Sequence, residues 1–163
     1  METSGSIQVN GVAVEGFQLD DGNYMIFFHN GAEPDGLQIT YQSAPDPSFD
    51  VYSQILDADG NPTGYPQVVN NTTYQTQAYP NVLALADGSY VVVWSQSQND
   101  VNFTACYQRF TSEGNKISQE RNVSTSSEPA DTIGLTALAD GGFEIYVGNS
   151  LENFSIEASP PNT

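Results

Sequence analysis

Short apolar runs separated by polar turn residues follow one another along most of the chain. Residues 82–86 and 89–94 are two such runs, and the pair Asp87-Gly88 lies between them. Because glycine adopts positive φ without steric cost, Asp-Gly between apolar runs predicts a β-hairpin. The same pattern predicts hairpins that join 17–19 to 24–28 and 135–139 to 143–147. Apolar residues at helical spacing do not persist beyond a few residues, so little or no helix is expected.

The hairpin phrases recur along the chain. One phrase occurs at residues 19–28, 85–94 and 138–147, and a second occurs at 51–61 and 105–115. The second phrase also ends in turn residues and predicts two further hairpins. These hairpins join 50–56 to 67–70 and 103–110 to 120–124. Each repeat therefore holds two hairpins, or four strands, in about 50 residues.

The repeats predict an all-β chain that forms a single repeat domain over residues 1–163. It consists of about three tandem four-stranded antiparallel units, at about 15–70, 80–124 and 132–158. Such units are β-propeller-like, and a compact β-barrel or sandwich is the alternative. The strand at 7–10 resembles the last strand of a unit and is expected to complete the third one. Because a ring of three blades is unusually small, self-association into an oligomer is expected as well.

The charge balance excludes several partners. Three basic residues face 20 acidic ones, and the formal net charge is −17. Such a surface repels phosphate backbones and anionic membranes, so nucleic acid is not an expected partner. The sequence holds no run of 18 apolar residues, so membrane insertion is not expected either. The single cysteine, Cys106, excludes an intrachain disulfide. Five Asn-x-Ser/Thr sequons, starting at Asn70, Asn71, Asn102, Asn122 and Asn153, fit an extracellular or cell-surface chain.

The repeated phrases resemble a known family. Residues 80–94, 51–64 and 67–70 are similar to a β repeat of large secreted bacterial proteins and of some ciliate surface proteins. In bacteria this repeat often accompanies RTX-type calcium-binding and cadherin-like modules in adhesins. The resemblance therefore implies an adhesin-like role. It carries no catalytic signature.

One loop has the composition of half a calcium site. Asp57, Asp59 and Asn61 stand at alternate positions and offer three oxygen ligands of the kind that calcium prefers. A distal acidic ligand is missing, so a hairpin turn is the favoured interpretation and calcium is a candidate cofactor only.

Loop tyrosines are the candidate binding residues. Tyr65, Tyr74 and Tyr79 lie between repeats among Asn and Gln, and Tyr41 lies in an insertion at 30–47. Aromatic rings beside amides are suited to gripping a glycan or a protein surface, although the same rings also suit the edges of a sheet. Trp94 occupies the repeat position of Phe28 and Val147, which predicts a core residue instead.

These features predict a non-catalytic extracellular binding or adhesion module that recognises a glycan or a protein through inter-strand loops. A structural subunit of a filament, sheath or larger assembly is the alternative. A glycoside hydrolase using two carboxylates is a weak alternative, because accidental acid pairs are certain among so many acids. His29 is the only histidine, which disfavours a zinc site.

Overall fold

The computed structural model describes residues 6–34, 36–37, 39–41, 49–70, 76–85, 87–97, 103–117, 120–126, 133–138, 142–147 and 150–154. These residues form antiparallel strands, which confirms the predicted all-β class. No helix occurs among them, and hence none that is long and apolar enough to cross a membrane.

The strands form three separate sheets, and in each of them the strands pair in chain order. The first sheet consists of β1 (Ser6–Val9), β2 (Val12–Gln18), β3 (Tyr24–His29), β4 (Val51–Leu56) and β5 (Pro62–Val68). The second consists of β6 (Thr76–Ala84), β7 (Tyr90–Ser97), β8 (Phe103–Phe110) and β9 (Arg121–Ser126). The third consists of β10 (Ile133–Ala137), β11 (Phe143–Val147) and β12 (Ser150–Phe154). None of the sheets closes into a barrel within the described residues, so the predicted β-barrel alternative was wrong.

The predicted Asp-Gly turns close the hairpins. In the loop between β2 and β3, the Leu19 N–H donates to the Asn23 carbonyl and the Gly22 N–H donates to the Leu19 carbonyl. Gly22 has a φ of 92°, which completes a three-residue hairpin loop with a left-handed glycine. The loop between β6 and β7 repeats this arrangement around Gly88. The third predicted turn, Asp140-Gly141, lies outside the described residues.

The second sheet is the middle layer of the molecule. One of its faces shares a core with the first sheet, and the ring centroids of Phe17 and Tyr90 lie 5.1 Å apart across this contact. Its other face shares a core with the third sheet, where Tyr107 and Phe143 lie 5.8 Å apart. Trp94 belongs to the first of these cores and is 0% exposed, so its predicted core position is confirmed.

The sequence predicted that the N-terminal strand completes the third unit, and this prediction was wrong. The strand pairs instead with β2 in the first sheet, with Val9 opposite Val12. Asn10 and Gly11 form the connection, and their φ values of 53° and 82° are those of a tight two-residue hairpin turn. Closing so short a loop costs little chain entropy, which favours local pairing over pairing with a strand more than a hundred residues away.

The β1–β2 hairpin folds back across the outer face of the first sheet. Gln18 lies at the same end of this sheet as the loop 57–61. In a flat sheet Asn10 would lie about 26 Å from that end. Its side-chain amide instead donates to the Asp59 carbonyl at 2.7 Å. The chain crosses close to its neighbour at Gly16, where a Cβ would overlap the backbone of β3.

This fold-back covers apolar side chains that would otherwise face solvent. The outer-face core contains Val9 and Val14 from the hairpin together with Ile26, Phe28, Tyr52 and Leu56. Leu37, Ile39 and Tyr41 of the insertion pack against the same core. The outer face of the first sheet is therefore covered by segments of the chain itself rather than by another sheet.

Candidate binding site

In each sheet the strands run antiparallel in chain order, so alternate connections lie at the same end of the sheet. At this end the hairpin loops of the first two sheets carry an acidic residue followed by glycine. These pairs are Asp21-Gly22, Asp59-Gly60, Asp87-Gly88 and Glu113-Gly114. The topology therefore gathers carboxylates that lie far apart in the sequence.

A cleft of about 640 Å³ opens between the loops of the first two sheets, and we call it the hairpin cleft. The β2–β3 loop forms one wall and the β6–β7 loop forms the other, with Ser112 of the β8–β9 loop beside them. Inter-strand loops thus form a concave site, and its principal lining residues are Phe17, Leu19, Asp20, Leu85, Ser89 and Tyr90.

The floor of the hairpin cleft is apolar and firmly packed. Tyr90 is buried, and its ring stacks on Phe110 with the centroids 5.0 Å apart. Phe27 of the first sheet packs against the Tyr90 ring as well, with the two ring centroids 5.9 Å apart. Burial raises the pKa of Tyr90 to about 12, so its phenol is neutral at physiological pH. The floor therefore offers rigid, uncharged apolar surface.

The rim of the hairpin cleft carries two exposed carboxylates with different roles. Asp21 Oδ1 accepts the Asn23 N–H at 2.9 Å, so this side chain stabilises its own turn. Asp20 makes no hydrogen bond within the described part of the chain. Asp20 is therefore the carboxylate that is available to a ligand.

The opposite wall is fixed by a small polar cluster. The Ser89 hydroxyl donates to Asp87, and Arg109 Nη2 donates to Ser89 Oγ at 3.1 Å. Arg109 also lies 3.7 Å from Asp87 Oδ2. Partial burial acts to raise the pKa of Asp87, but the Ser89 hydrogen bonds and the Arg109 charge outweigh it and lower that pKa. Asp87 therefore stays ionised and holds this wall in place.

Of the predicted binding tyrosines, neither Tyr41 nor Tyr65 lines the hairpin cleft. Tyr41 is half-buried, packs edge-on against Tyr52 at 5.0 Å and donates its hydroxyl hydrogen bond to Glu33. Tyr65 lies on β5 and is 49% exposed. The side chains of Tyr74 and Tyr79 lie outside the described residues. The two tyrosines whose side chains are described therefore lie outside this cleft, and glycan or protein binding by the four tyrosines stays a prediction.

The predicted calcium ligands form a hairpin turn. Asp57 Oδ1 accepts the backbone N–H groups of Asp59 and Asn61, each at 2.9 Å. The equivalent Thr111 hydroxyl accepts the Asn115 N–H at 3.2 Å in the second sheet. The described residues contain no group of three or more His, Cys, Asp or Glu side chains placed to hold a metal. Calcium binding here stays a prediction, and a melting temperature indifferent to millimolar calcium contradicts it.

No family model, curated protein or solved structure matches this chain. The hairpin cleft was not predicted from the sequence, because the residues around the Asp-Gly turns were interpreted as turn formers only. One signal was present: hairpins that repeat along a meander place their loops at one end, so acidic loops of neighbouring copies must face one another.

Proposed function

We propose that this chain is a non-catalytic binding module that takes up a basic segment of a partner protein in the hairpin cleft. One observation carries the proposal: the apolar residues Phe17, Leu19 and Tyr90 line the same cleft as Asp20, whose carboxylate makes no hydrogen bond within the described part of the chain. Lysine and arginine have the matching shape, because an apolar stem carries a charged head.

The net charge supports a cationic partner. A formal charge of −17 attracts a basic protein segment over long range and speeds its encounter. The rim acids are exposed, so salt screens them strongly. Binding is therefore expected to weaken as ionic strength rises. Part of the affinity should remain, because salt does not screen the apolar contacts with the floor of the cleft.

The probe for this proposal is a short unstructured peptide in which a lysine or arginine is flanked by apolar residues. A second peptide carries glutamine in place of the basic residue. We expect the basic peptide to shift backbone amide resonances of residues 17–21 and 84–90, and the glutamine peptide to leave them unchanged. Failure of the basic peptide to shift these resonances contradicts the proposal.

A matched pair of variants separates the cleft from the general charge. Asp20→Asn removes a rim carboxylate and is expected to weaken the basic peptide about three- to tenfold at low salt. Asp59→Asn removes the same charge from an exposed loop residue that does not line this cleft. If the two variants weaken peptide binding equally, the affinity depends only on the net charge of the protein and not on the hairpin cleft.

The repeat interpretation supports a module of this kind. In β7 the side chains of Tyr90, Val92 and Trp94 face the preceding sheet, and in β11 Phe143 and Ile145 do so. These residues occupy the same positions of the repeated phrase. We therefore propose propeller-like repeat units that pack in register, as expected for the secreted and surface proteins that the phrases resemble. An extracellular location is part of the same proposal.

The assembly alternative has less support. The outer face of the first sheet is covered by the chain itself, and on the third sheet Thr136 pairs with Glu144 on the face turned away from the second sheet. Stacking of copies on the first sheet would thus have to displace the segments that cover it. The hydrolase alternative has little support as well. A glycoside hydrolase places two carboxylates on opposite sides of the scissile bond, whereas the lining acids Asp20 and Asp21 are neighbours in one loop.

A further inference from the structure

A second cleft, of about 580 Å³, lies beside the fold-back hairpin, and we call it the neutral cleft. Three parts of the chain meet there: the β1–β2 turn, the residues Gly36, Leu37 and Thr40 of the insertion, and the start of β5 with the loop before it. The hydrogen bond from Asn10 to the Asp59 carbonyl ties two of these segments together at 2.7 Å. The neutral cleft therefore exists only because the N-terminal hairpin folds back.

The described residues that line the neutral cleft include no charged side chain. In a chain with 20 acidic residues, this absence sets the cleft apart from the hairpin cleft. Its polar side chains are the amides of Asn10 and Asn61 and the hydroxyl of Thr40. Such groups are each able to donate and to accept a hydrogen bond.

Two of these polar side chains are free to bind. Asn61 and Thr40 are exposed, and neither side chain makes a hydrogen bond within the described part of the chain. Asn10 uses its Nδ2 for the Asp59 carbonyl, which leaves its Oδ1 facing no described partner. The cleft thus presents a fixed acceptor and two adaptable groups that both donate and accept.

The walls of the neutral cleft are unusually bare. Gly36, Gly60 and Gly64 line it, and all three have positive φ, between 71° and 88°. Without Cβ atoms at these positions, a ligand can approach the backbone closely. Leu37 and Pro62 add small apolar surfaces. Tyr65 follows Gly64 in the chain and is 49% exposed, which leaves an aromatic ring available beside this segment.

We infer that the neutral cleft binds an uncharged polyhydroxylated ligand, of the chemical class of neutral oligosaccharides. Neighbouring sugar hydroxyls both donate and accept, as amide and hydroxyl side chains do, and the apolar face of a pyranose matches the small apolar surfaces of the walls. Among the described lining residues a cation would find no carboxylate, and an anion would find no basic group to offset the net charge of −17.

The test uses the whole chain and a panel of neutral di- to tetrasaccharides, with uronic-acid oligosaccharides as charged counterparts. Binding is followed through the backbone amide resonances of residues 36–40 and 60–64. We expect at least one neutral oligosaccharide to shift these resonances at about 10 mM or below, and the uronic-acid counterparts to leave them unchanged. Absence of a shift with every neutral member, or equal shifts with the acidic members, overturns the inference.

Variants locate the site. Thr40→Val keeps the shape of the side chain but removes its hydroxyl, and Asn61→Ala removes an amide. Because both side chains are exposed, the double variant is expected to fold, and its melting temperature checks this. Loss of two hydrogen-bonding groups is expected to weaken the sugar about tenfold or more. Undiminished binding by the folded double variant overturns the inference.

The chain supplies a matched control. Asn115 occupies in the β8–β9 loop the position that Asn61 occupies in the β4–β5 loop, and each carbonyl accepts the N–H four residues before it. Asn115→Ala therefore makes the same change in the same turn but outside the neutral cleft, and wild-type sugar affinity is expected. Asp20→Asn should likewise leave sugar binding unchanged, so the inference and the proposed function fail or succeed separately.

Discussion

The side-chain amide of Asn10 donates a 2.7 Å hydrogen bond to the main-chain carbonyl of Asp59, which lies 49 residues further along the chain. This bond joins the turn of the N-terminal hairpin to the acidic end of the first sheet. It holds the hairpin over Ile26, Phe28 and Leu56, which are buried. The outer face of the first sheet is thereby completed without another sheet.

The glycine beside this bond tests the fold-back. Gly60 has a φ of 88°, and a Cβ there would overlap Asn10 Nδ2 and lie 3.0 Å from Val9 Cγ1. Gly88 has a φ of 91°, but a Cβ there would meet nothing within 4 Å. Both alanine variants incur about 1–2 kcal/mol for the left-handed backbone. We expect Gly60→Ala to lower the free energy of unfolding further, by about 1–3 kcal/mol, through displacement of the hairpin. Urea unfolding measures both variants, and equal losses would mean that the hairpin does not dock at Gly60.

A buried hydrogen bond in the core between the first two sheets gives a second prediction. Trp94 Nε1 donates to Gln77 Oε1 at 2.8 Å, and both residues are 0% exposed. Gln77→Leu leaves the indole N–H buried and unpaired, which is expected to cost about 1–3 kcal/mol of stability. The double variant Gln77→Leu with Trp94→Phe removes both partners. Its loss should therefore be smaller than the sum of the two single losses, and additive losses measured by circular dichroism contradict this coupling.

The reactivity of the single thiol tests whether Cys106 is buried. Cys106 is 0% exposed, and burial, with a contribution from the charge of Glu120, raises the pKa of its thiol to about 12. Only the thiolate reacts quickly with disulfide reagents, so the folded protein should resist labelling at pH 8. The guanidinium-unfolded chain is the control and should label fully. Labelling of the native protein at the unfolded rate would contradict the burial of Cys106.

The single histidine predicts the pH dependence of stability near neutrality. Burial lowers the pKa of His29 below its ordinary value of 6.5, although the Glu33 charge acts in the opposite direction. Below pH 6.5 the unfolded chain therefore binds a proton before the folded chain does. Stability should fall as the pH drops from 6.5 towards the folded-state pKa, by at most about 1.4 kcal/mol per pH unit.

Urea midpoints at pH 7.5 and 5.5 measure this effect. His29→Gln is the control, because glutamine does not titrate and His29 is the only histidine of the chain. We expect the variant to lose the slope between the two pH values. A variant with the same change in stability between the two pH values as the wild-type protein contradicts the assignment to His29.

Local patterns predicted the hairpins but not where the sheets would meet. The pairing of β2 with β3 and of β6 with β7 follows from Asp-Gly turns between apolar runs, which are local signals. The Asn10-Gly11 turn is an equally local signal, but the prediction for residues 7–10 followed only their likeness to the last strand of a unit. The fold-back also depends on the contact of Gly60 with Val9 and Asn10, about 50 residues earlier in the chain, which no local pattern encodes.

The candidate sites show the same division. Asp57, Asp59 and Asn61 were predicted to favour a turn, and their backbone hydrogen bonds agree with that interpretation. Tyr41 was predicted as a binding residue because it stands in a polar insertion. The structure uses its ring to cover the first sheet, because an apolar face without a neighbouring sheet must be covered by whatever segment reaches it.

By itself the sequence determined the all-β class, the hairpin turns and the acidic surface, because backbone preference and charge act over a few residues or over the whole chain. Only the tertiary structure decided which loops face each other across the hairpin cleft and where the N-terminal hairpin lies. Those outcomes depend on packing between segments tens of residues apart, where apolar area must be buried and each side chain must find room.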